Sequence, residues 1–382
     1  MGFHEFSSPY DWSRIAAYKR TAKAAFGGMI DLSVGSPVDP VPDSVRKALA
    51  VAANDPNAYG YPATAGTADL RAAIAEWFSA ARNVDLQAIH ADVVPTVGSK
   101  EGVALMASLL HFGEDDVVVQ PKVSYPTYEI GTQLAGAQVL KVDDVADVAS
   151  WRNVPGVKAV WVNSPCNPTG EVYSAERMAG IVAAAREIGA VVLSDECYAL
   201  MQWRGATNSA DDDPLQSTPC ALRSDVCAGS AEGVLVLYSL SKQSNMAGYR
   251  TAFIAGDESL IASMSAYRKQ IGQIIPGPVQ AAMAAGLRDL ESVKVQHARY
   301  RERLGVLVSA LRAYGYCTDM PDGALYVWVR AKSGDCWTDM EQLAKIGIIA
   351  SPGEFYGAPE CLRFSATASD EAIASAAKRL VR

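Results

Sequence analysis

Residues 159–198 read AVWVNSPCNPTGEVYSAERMAGIVAAAREIGAVVLSDECY. The stretch opens on an apolar run, Ala159-Val-Trp-Val-Asn163, and closes on another, Ala190-Val-Val-Leu-Ser194. Between them, Ser174 to Ile188 has helical spacing, with Glu176 in its first turn and Gly189 just past its end. Runs that are apolar throughout, not alternating, fit strands buried on both faces of a sheet. The unit is therefore strand, turn, helix, strand. Asp116-Val-Val-Val-Gln120, Val234-Leu-Val-Leu-Tyr238 and Thr251-Ala-Phe-Ile-Ala255 repeat the apolar run on either side. The pattern predicts an α/β fold around a mostly parallel central sheet.

After Pro276 the character changes. Ser292 to Tyr314 reads as a long charged amphipathic helix, followed by the apolar stretch Ala324–Val329, another helical segment, the stretch Cys361–Ser365 and a last helix from Asp370 to Arg382. This predicts a smaller α+β domain over 281–382, a large domain over 41–280, and an arm over 1–40 that contributes to the small domain. Residues 204–233, rich in Asp, Ser, Pro and Gly, read as an excursion between two core strands, either a flexible loop or a lid.

The 382 residues are 49% hydrophobic and 20% charged, a globular balance, with a net charge of −8 that disfavours a phosphate-backbone binder. The longest uncharged stretch, Gln270 to Leu287, holds several Gln, Pro and Gly and is a poor membrane span. The first ten residues carry Glu5 and no apolar run, so no secretory signal is expected. Seven Cys without CxxC spacing predict reduced thiols in a cytoplasm, and four scattered His suggest no metal site. Small-molecule chemistry is the expectation.

Candidate chemistry sits where the strands end, the edge at which open α/β sheets bind ligands. Asp195 follows one strand; it could cap a turn or, if buried, meet a cation such as a protonated pyridine nitrogen. Lys242, in Ser239-Leu-Ser-Lys242, follows another. A lone lysine there reads first as an exposed loop residue; a desolvated one can form a Schiff base, and Ser239 and Arg250, flanking it, could serve as a phosphate clamp. Gly98-Ser99-Lys100 opens a helix whose N–H groups suit a phosphate, although no dinucleotide or P-loop fingerprint is present. Asn163-Ser-Pro-Cys-Asn167-Pro168-Thr169-Gly170 is a rigid turn that can hold an Asn amide in place.

Together, Asn-Pro-Thr-Gly at 167–170, Asp195-x-x-Tyr198 and Ser-Leu-Ser-Lys-x7-Arg at 239–250 resemble the fold-type I, class I/II aminotransferases that use pyridoxal 5′-phosphate (PLP). The resemblance covers nearly the whole chain. It implies that Lys242 carries the cofactor and shuttles the substrate proton, and that Asp195 keeps the ring nitrogen protonated. It implies further that Asn167 and Tyr198 bond the ring oxygen, and that Gly98, Ser99, Lys100, Ser239 and Arg250 hold the phosphate. Tyr125 stands where the family stacks an aromatic on the ring. The segment Pro121-Lys-Val-Ser-Tyr-Pro is longer than the commonest family form, so a neighbour competes for that role. Arg363 and the Gly35 backbone would take the substrate α-carboxylate. Tyr61 would reach the phosphate of a neighbouring subunit, which makes the expected assembly a homodimer with shared active sites.

Asp31–Pro42, Tyr59–Arg71 and Tyr125–Gly131 resemble more narrowly the bacterial N-succinyldiaminopimelate aminotransferases of lysine and cell-wall precursor synthesis. The implied reaction exchanges an amino group between N-succinyl-LL-2,6-diaminopimelate and 2-oxoglutarate. Alternatives are transamination of aspartate, alanine or an aromatic amino acid, and a carbon–sulfur β-lyase on the same fold. A distal succinyl carboxylate needs a cationic partner. Arg20, Lys23, Arg268, Lys269 and others are all open as that partner.

Overall fold

A computed structural model describes residues 10–56, 58–203 and 218–381. Its strands in chain order are β1 (Ile30–Asp31), β2 (Ala91–Val97), β3 (Val117–Pro121), β4 (Gln138–Val142), β5 (Val157–Asn163) and β6 (Val191–Asp195). They continue with β7 (Val234–Ser239), β8 (Thr251–Asp257), β9 (Tyr326–Arg330), β10 (Ile348–Ile349), β11 (Ser351–Pro352) and β12 (Cys361–Ser365). Seven of them form one sheet in the order β2-β8-β7-β6-β5-β3-β4. The pairs from β7 to β4 are parallel, whereas β8 runs antiparallel to both of its neighbours. The reversal follows from chain length: Leu240 to Arg250 is too short for a crossover between parallel strands. β2 therefore points with the parallel set, and its Pro95 is tolerated because it is an edge strand.

Alternation along the strands builds a core on each face. Val119, Val160, Val162, Val192, Val234 and Val236 pack with Ile74, Trp77 and Phe78 of the helix Ala68–Arg82. The opposite side chains Val118, Trp161, Leu193, Leu235, Leu237 and Ile254 pack with Val103 and Met106 of the helix Ser99–Leu109.

A separate core gathers later sequence. β11, β12 and β9 form an antiparallel sheet, covered by the helices Leu290–Tyr314, Cys336–Lys345 and Asp370–Leu380. The N-terminal segment joins this core: β1 pairs in parallel with β10, and Ile15 and Leu32 are buried in it. Tyr198, Met201 and Trp203, just past β6, also belong to it. The chain thus passes from one core to the other directly after Asp195. Of the excursion expected over 204–233, residues 204–217 lie outside the described residues; the remainder carries the short helix Ser224–Cys227. Among the described residues no helix is long and apolar enough to cross a membrane.

Candidate active site

The carboxyl ends of β2, β3, β5, β6 and β7 lie along one sheet edge. Because β8 is reversed, Arg250 at its start lies there too. A cavity of about 380 Å³ opens at this edge, between the two cores. That size suits a small ligand.

Asp195 ends β6 and is buried. The Tyr128 hydroxyl donates to its Oδ2 at 2.8 Å, and the Cys197 N–H donates to its Oδ1 at 3.1 Å. Burial pushes the carboxyl above the ordinary aspartate value, and these hydrogen bonds only partly pull it back. Among the described residues Asp195 makes no ion pair, so its charge faces the cavity uncompensated. Lys242 lies on the single turn Leu240–Gln243 after β7 and lines the same cavity, its ammonium donating to the Gly35 carbonyl.

On one side the turn after β2 meets the start of β8. Gly98 has φ +77°, and a Cβ there would come within 2.2 Å of an Arg250 nitrogen. Only glycine lets that guanidinium lie across the turn. The helix Ser99–Leu109 begins here, its first N–H groups lacking intrahelical partners. Ser239 Oγ accepts from the Ser241 N–H at 3.1 Å and lies 3.1 Å from the Thr251 carbonyl. Ser99, Lys100, Ser239, Ser241 and Arg250 together form a polar, cationic corner.

On the other side, Arg363 on β12 is buried. Its Nη1 donates to Asn167 Oδ1 at 2.7 Å and its Nη2 to the Ser33 carbonyl at 2.8 Å, while Nε has no partner among the described residues. Its guanidinium lies 4.0 Å from the Tyr326 ring centroid and 4.7 Å from that of Tyr356. Asn167 is held in turn: its N–H donates to Asn163 Oδ1 at 2.8 Å, and Asn163 Nδ2 donates to the Asp195 carbonyl at 2.9 Å. Tyr198 and Tyr326 share a hydrogen bond of 2.6 Å.

Lys242, Asp195, Tyr198, Asn167, Ser99, Lys100, Ser239, Arg250, Arg363, Gly35 and Tyr125 all line this one cavity, and Gly98 abuts Arg250 at its rim. Tyr61 does not line it and is fully exposed. The cations considered for a distal carboxylate lie elsewhere. Arg20, Lys23 and Lys269 are exposed outside the cavity, and Arg268 is buried 2.9 Å from Glu101. Lys100 is the remaining cation on the wall. Its Nζ lies 5.5 Å from the Tyr10 ring centroid and 6.0 Å from that of Tyr125, and burial, with Arg250's charge, lowers its pKa. Tyr10, Trp12, Tyr326 and Tyr356 escape the sequence reading, because only the packing of the second core on the first brings them to the cavity, and Tyr128 and Ser33 escape it because they act from behind the wall, on Asp195 and Arg363.

A family model described as aminotransferase class I and II matches residues 27–380. The chain is 40% identical to the 4-dedimethylamino-4-oxo-anhydrotetracycline transaminase OxyQ of Streptomyces rimosus, over 97% of this chain and 98% of that one. It is 39% identical to the probable aminotransferase Rv1178 of Mycobacterium tuberculosis, over 97% of this chain and 84% of that one. Among solved structures, a probable N-succinyldiaminopimelate aminotransferase from Thermus thermophilus matches with a TM-score of 0.83 at 27% identity, over 97% of this chain and 99% of that one.

Proposed function

The chain belongs to the class I and II aminotransferases, a PLP-dependent family, and from that premise we propose that it moves an amino group between an amino acid bearing a second, distal carboxylate and 2-oxoglutarate. The donor proposed is N-succinyl-LL-2,6-diaminopimelate.

The residues present fit the cofactor. The buried Asp195 carboxylate, without a cation of its own, matches a protonated pyridine nitrogen. The Gly98 turn, which a Cβ would fill, matches a phosphate held by Ser99 and Lys100 N–H groups, Ser239 and Arg250. Lys242 would hold the aldehyde carbon, Tyr125 would flank the ring, and Asn167 and Tyr198 would bond the ring oxygen. When bound, the cofactor supplies an electron sink for charge developing at the substrate α-carbon. Arg363 binds and orients the substrate through its carboxylate, with the Gly35 backbone beside it. Displaced from that carbon by the substrate amine, Lys242 Nζ would as a neutral amine take the α-proton from one face and deliver it to the carbon it had held. Asp195 holds the opposing positive charge in a buried setting where water does not compete.

The single observation carrying the substrate reading is Lys100. Lys242, Arg250 and Arg363 each have a role, and Lys100 remains on the wall, reachable from solvent and with no acidic partner among the described residues. A distal carboxylate would complete it. A second reading, amination of a flat polycyclic ketone, draws on OxyQ and on the edge-to-face pair Tyr10–Trp12 that lines the cavity. We infer also a homodimer in which the exposed Tyr61 completes the partner's site.

A half-reaction screen tests this. PLP-loaded protein is mixed with single donors, and conversion to the pyridoxamine form is followed by absorbance. Glutamate and N-succinyl-LL-2,6-diaminopimelate should convert fastest, and Lys100→Met should slow them while sparing alanine. Equal slowing of alanine would sink the distal-carboxylate reading. Borohydride should fix the cofactor at Lys242, and a peptide map placing it elsewhere would overturn the site. Release of pyruvate from cystathionine without an oxo-acid acceptor would instead mark a lyase.

A further inference from the structure

Tyr326 carries none of the roles proposed for its neighbours, yet it touches three of them. It opens β9 and is buried. Its hydroxyl shares the 2.6 Å hydrogen bond with Tyr198, and its ring lies under the Arg363 guanidinium. The same hydroxyl lies against Gly35, where a Cβ would come within 2.2 Å of it, and the Gly35 carbonyl is the acceptor for Lys242. A tyrosine that merely fills a core needs one partner for its hydroxyl. This one divides its two ends between the polar groups of the site.

We infer that Tyr326 is a positioning residue for transamination: its hydroxyl directs the Tyr198 proton, and its ring holds the Arg363 fork for the substrate carboxylate. The inference rests on the roles proposed for Tyr198 and Arg363.

Two phenols in one hydrogen bond hold two protons and use one. If Tyr198 donates, its proton is turned away from the cavity; if Tyr326 donates, the Tyr198 proton is free to enter it. Burial, reinforced by Tyr326, holds the Tyr198 phenol well above the ordinary tyrosine value. Burial also pushes Tyr326 up, but Lys242, Arg363 and the hydrogen bond from Tyr198 together bring it below that value. Both directions leave Tyr198 as donor. The other titratable groups around Tyr326 are Cys197, Tyr125, Tyr300 and Tyr356, none of them a cation. In the holoenzyme the Lys242 amine is tied to the cofactor, and a carboxylate seated on Arg363 cancels the other cation. Tyr326 then keeps its own proton, donates it, and turns the Tyr198 proton into the cavity. Seating the substrate thus sets the hydrogen-bond donor that meets the cofactor's ring oxygen.

The test uses holoenzyme: wild type, Tyr326→Phe, Tyr326→Leu, Tyr198→Phe and the Tyr198→Phe/Tyr326→Phe double variant. One readout is the pH midpoint of the bound cofactor's visible absorption; the other is the dissociation constant of maleate, an unreactive dicarboxylate. Tyr326→Phe should free the Tyr198 proton and lower the midpoint by about half a unit to one unit, the scale of one hydrogen bond. The shift should vanish when Tyr198 is already Phe. Because Phe keeps the ring, maleate affinity should stay within about twofold, whereas Tyr326→Leu should weaken it about tenfold. An unmoved midpoint in Tyr326→Phe, or the same shift with Tyr198 replaced, overturns the inference. Should Tyr326→Leu not fold, the Phe variants alone decide. Wild-type protein without a Lys242-linked absorption band overturns the site itself, a different failure from a band whose titration Tyr326→Phe does not move.

Discussion

Asp195 is the residue at which stability and activity pull apart. Its folded-state pKa is raised, so the folded chain holds that proton more tightly than the unfolded chain. The stabilising contribution is therefore fully present below the unfolded value of 3.8 and is lost as pH rises through the folded value. At neutral pH the buried carboxylate is a cost in cofactor-free protein. Asp195→Asn keeps the shape, and its amide can donate to Tyr128 while its oxygen accepts from Cys197. Cofactor-free Asp195→Asn should thus melt higher than wild type at neutral pH but not near pH ~3. The same variant should lose transamination by a factor on the order of 100 or more, the scale of one pre-organised electrostatic contact. Melting curves across pH check the first half, and a lower neutral-pH Tm would refute it. Arg363→Ala should raise the KM of every amino-acid substrate roughly 30-fold or more, since a buried bidentate partner is lost; steady-state kinetics on two unrelated donors would show it. Lys242, Asp195, Asn167 and Arg250 could be read from sequence because each sits in a short local signature after a strand. Tyr326 could not, because in Ala324–Val329 it looks like any strand tyrosine until Arg363 lies over it.

At the scale of elements, the site is built from the turns just past the strand ends. The apolar runs mark the strands to within a residue or two, since buried strands advertise themselves by continuous hydrophobicity. Direction is less legible, as β8 shows, and β2 is masked by its Pro95 and β4 by its short, half-exposed mix of polar and apolar residues. The turn at Gly98 gives a sharp element-level prediction. Gly98→Ala must give up a positive φ and push Arg250 aside, so PLP affinity should fall about tenfold or more. Titration of cofactor-free protein with PLP measures this, and unchanged affinity would remove Arg250 from the phosphate site. Behind β6 lies a second device. Glu196, next to Asp195, pairs with Arg82 at 2.8 Å, both fully buried, and also accepts from Ser194 Oγ and the Ala221 N–H. Glu196→Gln leaves Arg82 without a counter-charge and should cost about 3–5 kcal/mol, whereas Arg82→Met with Glu196→Leu should recover most of it. Urea denaturation of wild type and the two variants separates a charge effect from a packing effect.

At the scale of the molecule, the cavity exists because two cores meet along one sheet edge. Asp195 and Lys242 come from the central sheet; Arg363 and Tyr326 come from the small antiparallel sheet. The N-terminal segment bridges the two: β1 pairs with β10 of the second core, while its Gly35 carbonyl accepts from Lys242 of the first. Within one chain this leaves Tyr61 fully exposed and outside the cavity. Tyr59, two residues earlier, is exposed as well. Two large exposed aromatics so close together suit burial against another surface. If that surface is a second copy, two-fold symmetry makes the exchange reciprocal, each chain lending its Tyr61 to the other's site. Subunit mixing tests this directly. Tyr61→Ala and Lys242→Ala proteins should each be weak or inactive alone. After exchange, a mixed dimer holds one site with its own Lys242 and the partner's intact tyrosine. At random mixing of equal amounts, half the dimers are mixed and one of their two sites works, so activity should recover to about a quarter of wild type. A tyrosine serving its own chain would give no recovery, because every intact Lys242 would still face a missing Tyr61.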